Sequence, residues 1–429
     1  MADAPAWAER DAAVVWHGFT QMSCYTDNAP VIVEAAEGRE LIDVDGRRYL
    51  DAISSLWVTT LGHRVPELDA ALVEQLGRVA HTTLLGNGNR IVVEFAEALA
   101  RVVPVDRPHV LFASDGASSV EQALKMAFQY WRNRGMEGRT TYLAFGAAYH
   151  GDTVGGLSLG DGGFYGDLFA PLRFPVLRAP SFADPHAMTH AARMVRENKE
   201  RLAAVVVEPL VQGAAGMLVA DPSAFAVLME ACTQTGVLLI CDEVATGFGR
   251  TGTLFASEQC ALRPDVLCLG KGITGGYLPM SATVAAGHVY DAFLGQDLGP
   301  KTFYHGHSYG GNALAAAVAL RHLQLIDSTQ VLSNVRARSA QLRAALTDVI
   351  RPHRAVTQIR IAGLMAAVEL DASHDPLLAR RVCSAMVRRG VLSRSMGNVV
   401  TLVPPLTTTE QEIRTIVGTL HAALLEAAG

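Results

Sequence analysis

An acid and an amine stand 29 positions apart in a chain of 429 residues, each at the end of an apolar run. Asp242 closes VLLICD (237–242), and Lys271 follows DVLCLG (265–270) within CLGKGITGGYLPM (268–280). In doubly wound sheets ligands gather beyond the carboxyl ends of the strands, so polar residues that terminate buried strands come first. Taken alone, Asp242 reads equally as a structural acid or a helix cap. Lys271 lies between two glycines, which let the backbone approach something closely, and that is an odd place for a solvated surface charge. A desolvated lysine forms a Schiff base with an aldehyde, and a carboxylate held against a pyridine nitrogen keeps that ring protonated as an electron sink. Acid and amine together imply pyridoxal phosphate.

That cofactor needs a phosphate cradle. Asp115-Gly116-Ala117-Ser118 lies between a strand pattern and a helix pattern, where free N–H groups and the helix dipole favour an anion, although the same residues serve equally as an ordinary cap. Tyr149, in AFGAAYHGDT (144–153), ends a strand-like segment; its ring suits the face of a pyridine, or else a half-buried core position. No G-x-G-x-x-G between strand and helix and no phosphate-binding G-x-x-x-x-G-K-[ST] is present, which weighs against a nicotinamide dehydrogenase or a nucleoside triphosphatase. His305 and His307 share a glycine-rich loop without an evident third ligand, and no metal is expected.

The elements that must position these groups follow from periodicity. AAVVVE (203–208), VLLICD and DVLCLG are continuous apolar runs, as parallel strands covered on both faces require. VLFAS (110–114) reads as a further strand, and the helix after it places Val120, Ala123, Leu124, Ala127, Phe128 and Trp131 on one face. Strand and helix patterns alternate from about 66 to 325, the signature of a large α/β domain built on a βαβ sheet with helices on both faces. Residues 1–65 hold a small meander, VIVEAA (31–36) and ELIDVDGRRYLDA (40–52), with a turn at Asp45-Gly46. Residues 326–429 form the remainder of a smaller α+β domain that this meander completes. They contain the end of a long helical pattern (313–350), strand-like IRIAGLMAAVEL (359–370) and NVVTLV (398–403), and a closing helix.

Composition bounds the function. The chain is 50% apolar and 18% charged, with 39 Gly and 18 Pro, which excludes disorder, collagen and coiled coil. A net charge of −6 without a dense basic cluster excludes nucleic acid as an expected partner. The N-terminal stretch lacks the apolar core of a signal peptide, and no run of about 18 apolar residues suggests a membrane span. Six scattered cysteines without a C-x-x-C pair suit a reducing cytosol rather than a disulfide framework.

CDEVATGFGRTG (241–252), CLGKGITGGYLPM, DGASSVEQALKMA (115–127), VVVEPLVQGAAGM (205–217) and YHGHSYGGN (304–312) together resemble the class III aminotransferases of the fold-type I pyridoxal phosphate superfamily. The likeness runs from about 16 to 420 and implies a fold-type I α/β architecture, with a mixed, mainly parallel sheet in the large domain and a smaller α+β domain built from both termini. It implies that Lys271 binds the cofactor and moves the proton, Asp242 holds the pyridinium nitrogen, and Gly116, Ala117 and Ser118 bind phosphate. It also implies that Tyr149 stacks on the ring, Glu208 orients groups near it, and Ser308 reaches the phosphate of a partner subunit, so that a homodimer shares its active sites. WHGFTQM (16–22), SSLWVTTLGH (54–63) and GVLSRSMGNVVTLVPPL (390–406) are similar to the branch that makes 7,8-diaminononanoate from 8-amino-7-oxononanoate for biotin. In that branch Arg394 would pair with the carboxylate of the keto acid, with Arg250 as a second candidate, and Phe19, Trp57 and Gly306 would complete the substrate pocket. Branch members that take the amino group from S-adenosylmethionine carry Tyr where this chain has Phe19 and Trp-Trp where it has Leu56-Trp57, so these positions look more like those of the L-lysine users. An ω-amine transaminase of the same class is the alternative.

Overall fold

The computed structural model describes residues 6–28, 30–161 and 166–428; the first five residues of the N-terminal stretch read above lie outside that set. Its largest sheet has seven strands, in the order His109–Ala113, Ser281–Ala285, Val266–Leu269, Leu238–Asp242, Leu202–Val207, Thr141–Phe145, Leu177–Ala179. Ser281–Ala285 runs antiparallel to both neighbours and the other strands share one direction, the mixed, mainly parallel sheet expected. Every residue of Leu202–Val207 and Leu238–Asp242 is buried, which is why those runs are apolar without alternation.

Helix Gly116–Asn133 packs on this sheet through Val120, Ala123, Leu124, Ala127 and Trp131, and the Trp131 indole N–H donates to the Ala203 carbonyl at 2.8 Å. Phe128, expected on that face, is instead half exposed, with the Arg132 guanidinium over its ring. The helical pattern 313–350 divides in two. Ala313–Ser328 stops at Thr329, Gln330 is left-handed, and Val331–Ala345 continues into a single π turn, Leu346–Ile350.

A second apolar core joins both ends of the chain. Leu50 and Ala52 from the meander cluster with Leu342, Val368, Val400, Ile416 and Leu420. The contact is also a backbone one, because Val391–Leu392 pairs parallel with Leu50–Asp51 and so adds a fourth strand to Val33–Glu37, Glu40–Asp43 and Arg48–Asp51. IRIAGLMAAVEL folds as a hairpin, Val356–Ala362 with Met365–Leu370, turning at Gly363 where φ is +60°. Ile326 belongs to the first core and Val331 to the second, so the cores separate at the Thr329–Gln330 break. No helix among the described residues is long and apolar enough to cross a membrane.

Candidate active site

Five segments leave the carboxyl ends of the co-directional strands on one edge of the sheet, and between them lies a cavity of about 490 Å³. Gly116 and Ala117, Tyr149 and His150, Glu208, Asp242 and Lys271 line it, joined by Trp57. Register explains the acid and the amine. Asp242 pairs with Cys268, and Lys271 lies three residues beyond on the neighbouring strand's extension.

The glycines flanking Lys271 are there for packing. A Cβ on Gly270 would come within 3.2 Å of the Gly116 Cα, and one on Gly272 within 3.1 Å of Thr60 Cγ2. The strand end therefore seats directly on the helix start and on the Trp57 stretch. Lys271 opens the turn Lys271–Thr274 with φ at +39°, a left-handed value that non-glycine residues adopt at a cost. Its Nζ lies 5.1 Å from the centre of the Trp57 ring, and no hydrogen bond or ion pair to it is found among the described residues. Burial lowers its pKa from 10.5, while the charges of Asp242 and Glu208 oppose that shift.

Asp242 is almost fully buried. One carboxylate oxygen accepts from the Val244 N–H at 3.0 Å, and the other lies 2.7 Å from His150 Nδ1. Burial alone would lower the pKa of His150, but the Asp242 hydrogen bond and charge, with the charge of Glu208, hold it above 6.5. Among the described residues His150 Nε2, also buried, has no hydrogen-bond partner. Glu208 accepts from the N–H groups of Tyr149 at 3.2 Å and Gly213 at 3.1 Å, and burial pushes its pKa up to about 7. Tyr149 donates its hydroxyl to Asp152 at 2.9 Å, and burial raises its pKa.

Helix Gly116–Asn133 is capped by Asp115, which accepts from both the N–H and the hydroxyl of Ser118 at 2.9 Å. The cap and the cradle are thus different residues. Ser118 is committed to Asp115 and lies outside the cavity lining, while the N–H groups of Gly116 and Ala117, without intrahelical acceptors, border it. A partnerless buried amine, two free N-terminal amides and a fixed carboxylate form a donor set that fits pyridoxal phosphate.

A second cavity of about 630 Å³ adjoins the first and shares Tyr149, Gly151, Asp152 and Ala214 with it. Phe19, Leu157, Leu172, Met396 and Val399 give it apolar walls, with Asn398 and Asp161 at its edge. Besides Ser118, four residues expected at the site lie outside both linings. Arg250 is wholly buried: it donates to the Pro404 carbonyl at 2.5 Å and lies 3.5 Å from the Ser54 hydroxyl, so its guanidinium holds the backbone beneath Trp57 and does not face the cavity. Arg394 is exposed on the edge strand Arg394–Met396, two residues from Met396 in the cavity wall. Gly306 and Ser308 are exposed on their loop. His305 and His307 approach to 3.4 Å, and among the described residues no three metal-ligating side chains converge.

Sequence reasoning missed His150 and Val244. The only signal for the histidine was its place beside Tyr149, since nothing in the spacing tells that its partner is 92 residues away.

The class-III aminotransferase family model matches residues 22–424. The adenosylmethionine-8-amino-7-oxononanoate aminotransferase of Nitratidesulfovibrio vulgaris is 44% identical over 97% of this chain and 81% of its own length. The crystal structure of the enzyme of that name from Methanocaldococcus jannaschii superposes with a TM-score of 0.93 at 35% identity, covering 98% of both chains. An amine transaminase from an uncultivated Pseudomonas species, solved in its PLP-bound form, superposes with a TM-score of 0.90 at 33% identity over 96% of this chain and 99% of its own. This chain, with the fold-type I architecture, belongs to the class III aminotransferases.

Proposed function

We propose that the chain transfers an amino group to the ketone of 8-amino-7-oxononanoate, giving 7,8-diaminononanoate for biotin, with pyridoxal phosphate as cofactor. The observation that carries this reading is Lys271, a desolvated amine without a hydrogen-bond partner among the described residues, in a cavity shared with Asp242, Glu208 and Tyr149. The names of relatives 35–44% identical over nearly the whole chain support the acceptor.

When bound, pyridoxal phosphate supplies an electrophilic aldehyde carbon and a protonated ring that takes up electron density from the substrate. The chain supplies placement and proton handling. Because burial lowers the pKa of Lys271, more of its amine is neutral at a given pH, ready to bond to carbon and to carry a proton. Asp242, fixed by the Val244 N–H and His150, would hold the proton of the ring nitrogen. Gly116 and Ala117 would bind the phosphate with their N–H groups, aided by the helix dipole. Tyr149 would lie against the pyridine, and Glu208 would orient its surroundings. The second cavity, with apolar walls and a few polar residues in its lining, suits a nonanoate chain, and Arg394, two residues from Met396 in its wall, suits the carboxylate.

The relatives' names point to S-adenosylmethionine as donor. L-Lysine is the second reading, favoured by Phe19, which lacks a hydroxyl, and by Leu56 beside Trp57. An ω-amine role is favoured by the likeness to the Pseudomonas amine transaminase. A homodimer with shared sites is supported by the exposed loop of Gly306 and Ser308, flanked by exposed Tyr304, Tyr309 and Leu85. Six free cysteines suit the cytoplasm.

The test is spectroscopic. The purified protein takes up pyridoxal phosphate and turns yellow, Lys271→Ala does not show that visible band, and one of the two donors bleaches it in the wild type. Addition of 8-amino-7-oxononanoate then restores the colour. Restoration by simple ketones but not by the nonanoate would replace this reading with the ω-amine one.

A further inference from the structure

A buried histidine outside both cavities touches two of the segments that build the first. His322 is fully buried in helix Ala313–Ser328, whose other buried residues are Ala, Val, Leu and Ile, and its ring centre lies 6.1 Å from that of Phe248. Its Nε2 is 2.6 Å from Thr60 Oγ1. The Ile273 backbone is near enough to the ring to favour its protonated form, Nδ1 has no hydrogen-bond partner among the described residues, and Cδ2 is the first atom that a Cβ on Gly275 would meet, at 3.1 Å. Thr60 closes the stretch that carries Trp57, and Ile273 and Gly275 belong to the turn that carries Lys271.

Both stretches are strained. Ser54, Ser55 and Trp57 have φ of 54°, 59° and 64°, and Lys271 has 39°. Such backbone conformations are costly for non-glycine residues and persist only where the surroundings over-determine them. Part of the over-determination is direct, since a Cβ on Gly276 would come within 2.9 Å of Thr59 Cα. Ser54 is tied further to the Val403 carbonyl at 2.6 Å, and another part passes through an imidazole whose burial holds its pKa near 4, so that at neutral pH it serves as an uncharged hydrogen-bonding strut. A buried polar ring in a helix face of aliphatic residues is expensive unless its polar atoms are used.

We propose that His322 is a positioning residue for the amino transfer: through Thr60 and the Ile273–Gly275 backbone it clamps the Trp57 stretch onto the Lys271 turn and so fixes the amine relative to the Trp57 ring. The inference rests on the role given to Lys271 above.

His322→Phe and Thr60→Val each remove the hydrogen bond with little change of shape. In cofactor-free protein, hydrogen exchange of the amides of 272–277 speeds up about tenfold in both variants, while helix 313–328 stays protected. In the loaded enzyme, single turnover with the amino donor slows about tenfold to a hundredfold, with the donor KM within about twofold of wild type. The double variant is no slower than the slower single one, because both remove the same bond. His322→Gln, which keeps a hydrogen-bonding nitrogen, recovers part of the rate. Unchanged exchange at 272–277, additive losses, or wild-type turnover in folded variants would overturn the clamp. Should His322→Phe not fold, Thr60→Val carries both measurements. If wild-type protein never takes up pyridoxal phosphate, the role of Lys271 falls, and the exchange experiment still decides whether the clamp exists.

Discussion

Glu208 gives the site a titration that can be followed without substrate. Its carboxyl has an ordinary value of 4.5 and is pushed to about 7 by burial, so between those values the folded protein keeps a proton that the unfolded chain has released. Folding is therefore favoured by this group at low pH, and its contribution falls as the pH rises through that window. Glu243, also raised to about 7, acts in the same direction. In urea titrations from pH 4.5 to 7, Glu208→Gln shows a shallower loss of stability with pH than wild type; parallel slopes would refute the assignment. His150→Leu strips the Asp242 carboxylate of its buried partner and costs about 3 kcal/mol of unfolding free energy. Adding Asp242→Asn recovers part of that loss, which denaturation of the double variant measures. At this scale the sequence was readable where a residue ended a continuous apolar run, as Asp242 and Lys271 do. It was unreadable where a role depends on a distant partner. His150 needs Asp242, and Arg250 is spent on the carbonyl of Pro404, 154 residues away. Side-chain type alone could not separate a buried strut from a substrate clamp.

The helix start at Gly116 is the element on which phosphate affinity should turn. A Cβ there would meet Val244 Cγ1 at 2.5 Å and Cγ2 at 3.0 Å, in a strand-end loop that cannot retreat without moving Asp242. Gly116→Ala is expected to weaken pyridoxal phosphate retention about tenfold in equilibrium dialysis while the helix stays folded, because Asp115 still caps it. Retention equal to wild type would show that the helix start is not the cradle. Elements with one strong period were legible, and the buried strands fall within a residue or two of the expected runs. The pattern over 313–350 was not, since an apolar helix that stops and restarts through one left-handed residue, Gln330, keeps nearly the same periodicity. Phe128 fails for the opposite reason: it fits the stripe, but its place at the edge of the buried face leaves it beside Arg132.

Two cores joined along one chain set the expected response to damage far from the chemistry. Leu420 is fully buried in the second core, and Leu420→Ala should cost about 2–5 kcal/mol. Calorimetry reads this as a lowered Tm, and the visible band of bound cofactor is kept in the cold; loss of that band in folded protein would mean that the second core shapes the site directly. We propose that the junction between the domains lies at Thr329–Gln330, where the two cores separate. The parallel pairing of Val391–Leu392 with Leu50–Asp51 has a consequence for biogenesis. During synthesis the edge of Arg48–Asp51 waits for a partner encoded some 340 residues later, which at about 5–20 residues per second is roughly 20–70 s of exposure on the ribosome. An unpaired strand edge left open that long is a target for chaperones, and a product truncated before Gly390 would carry it permanently into the aggregate.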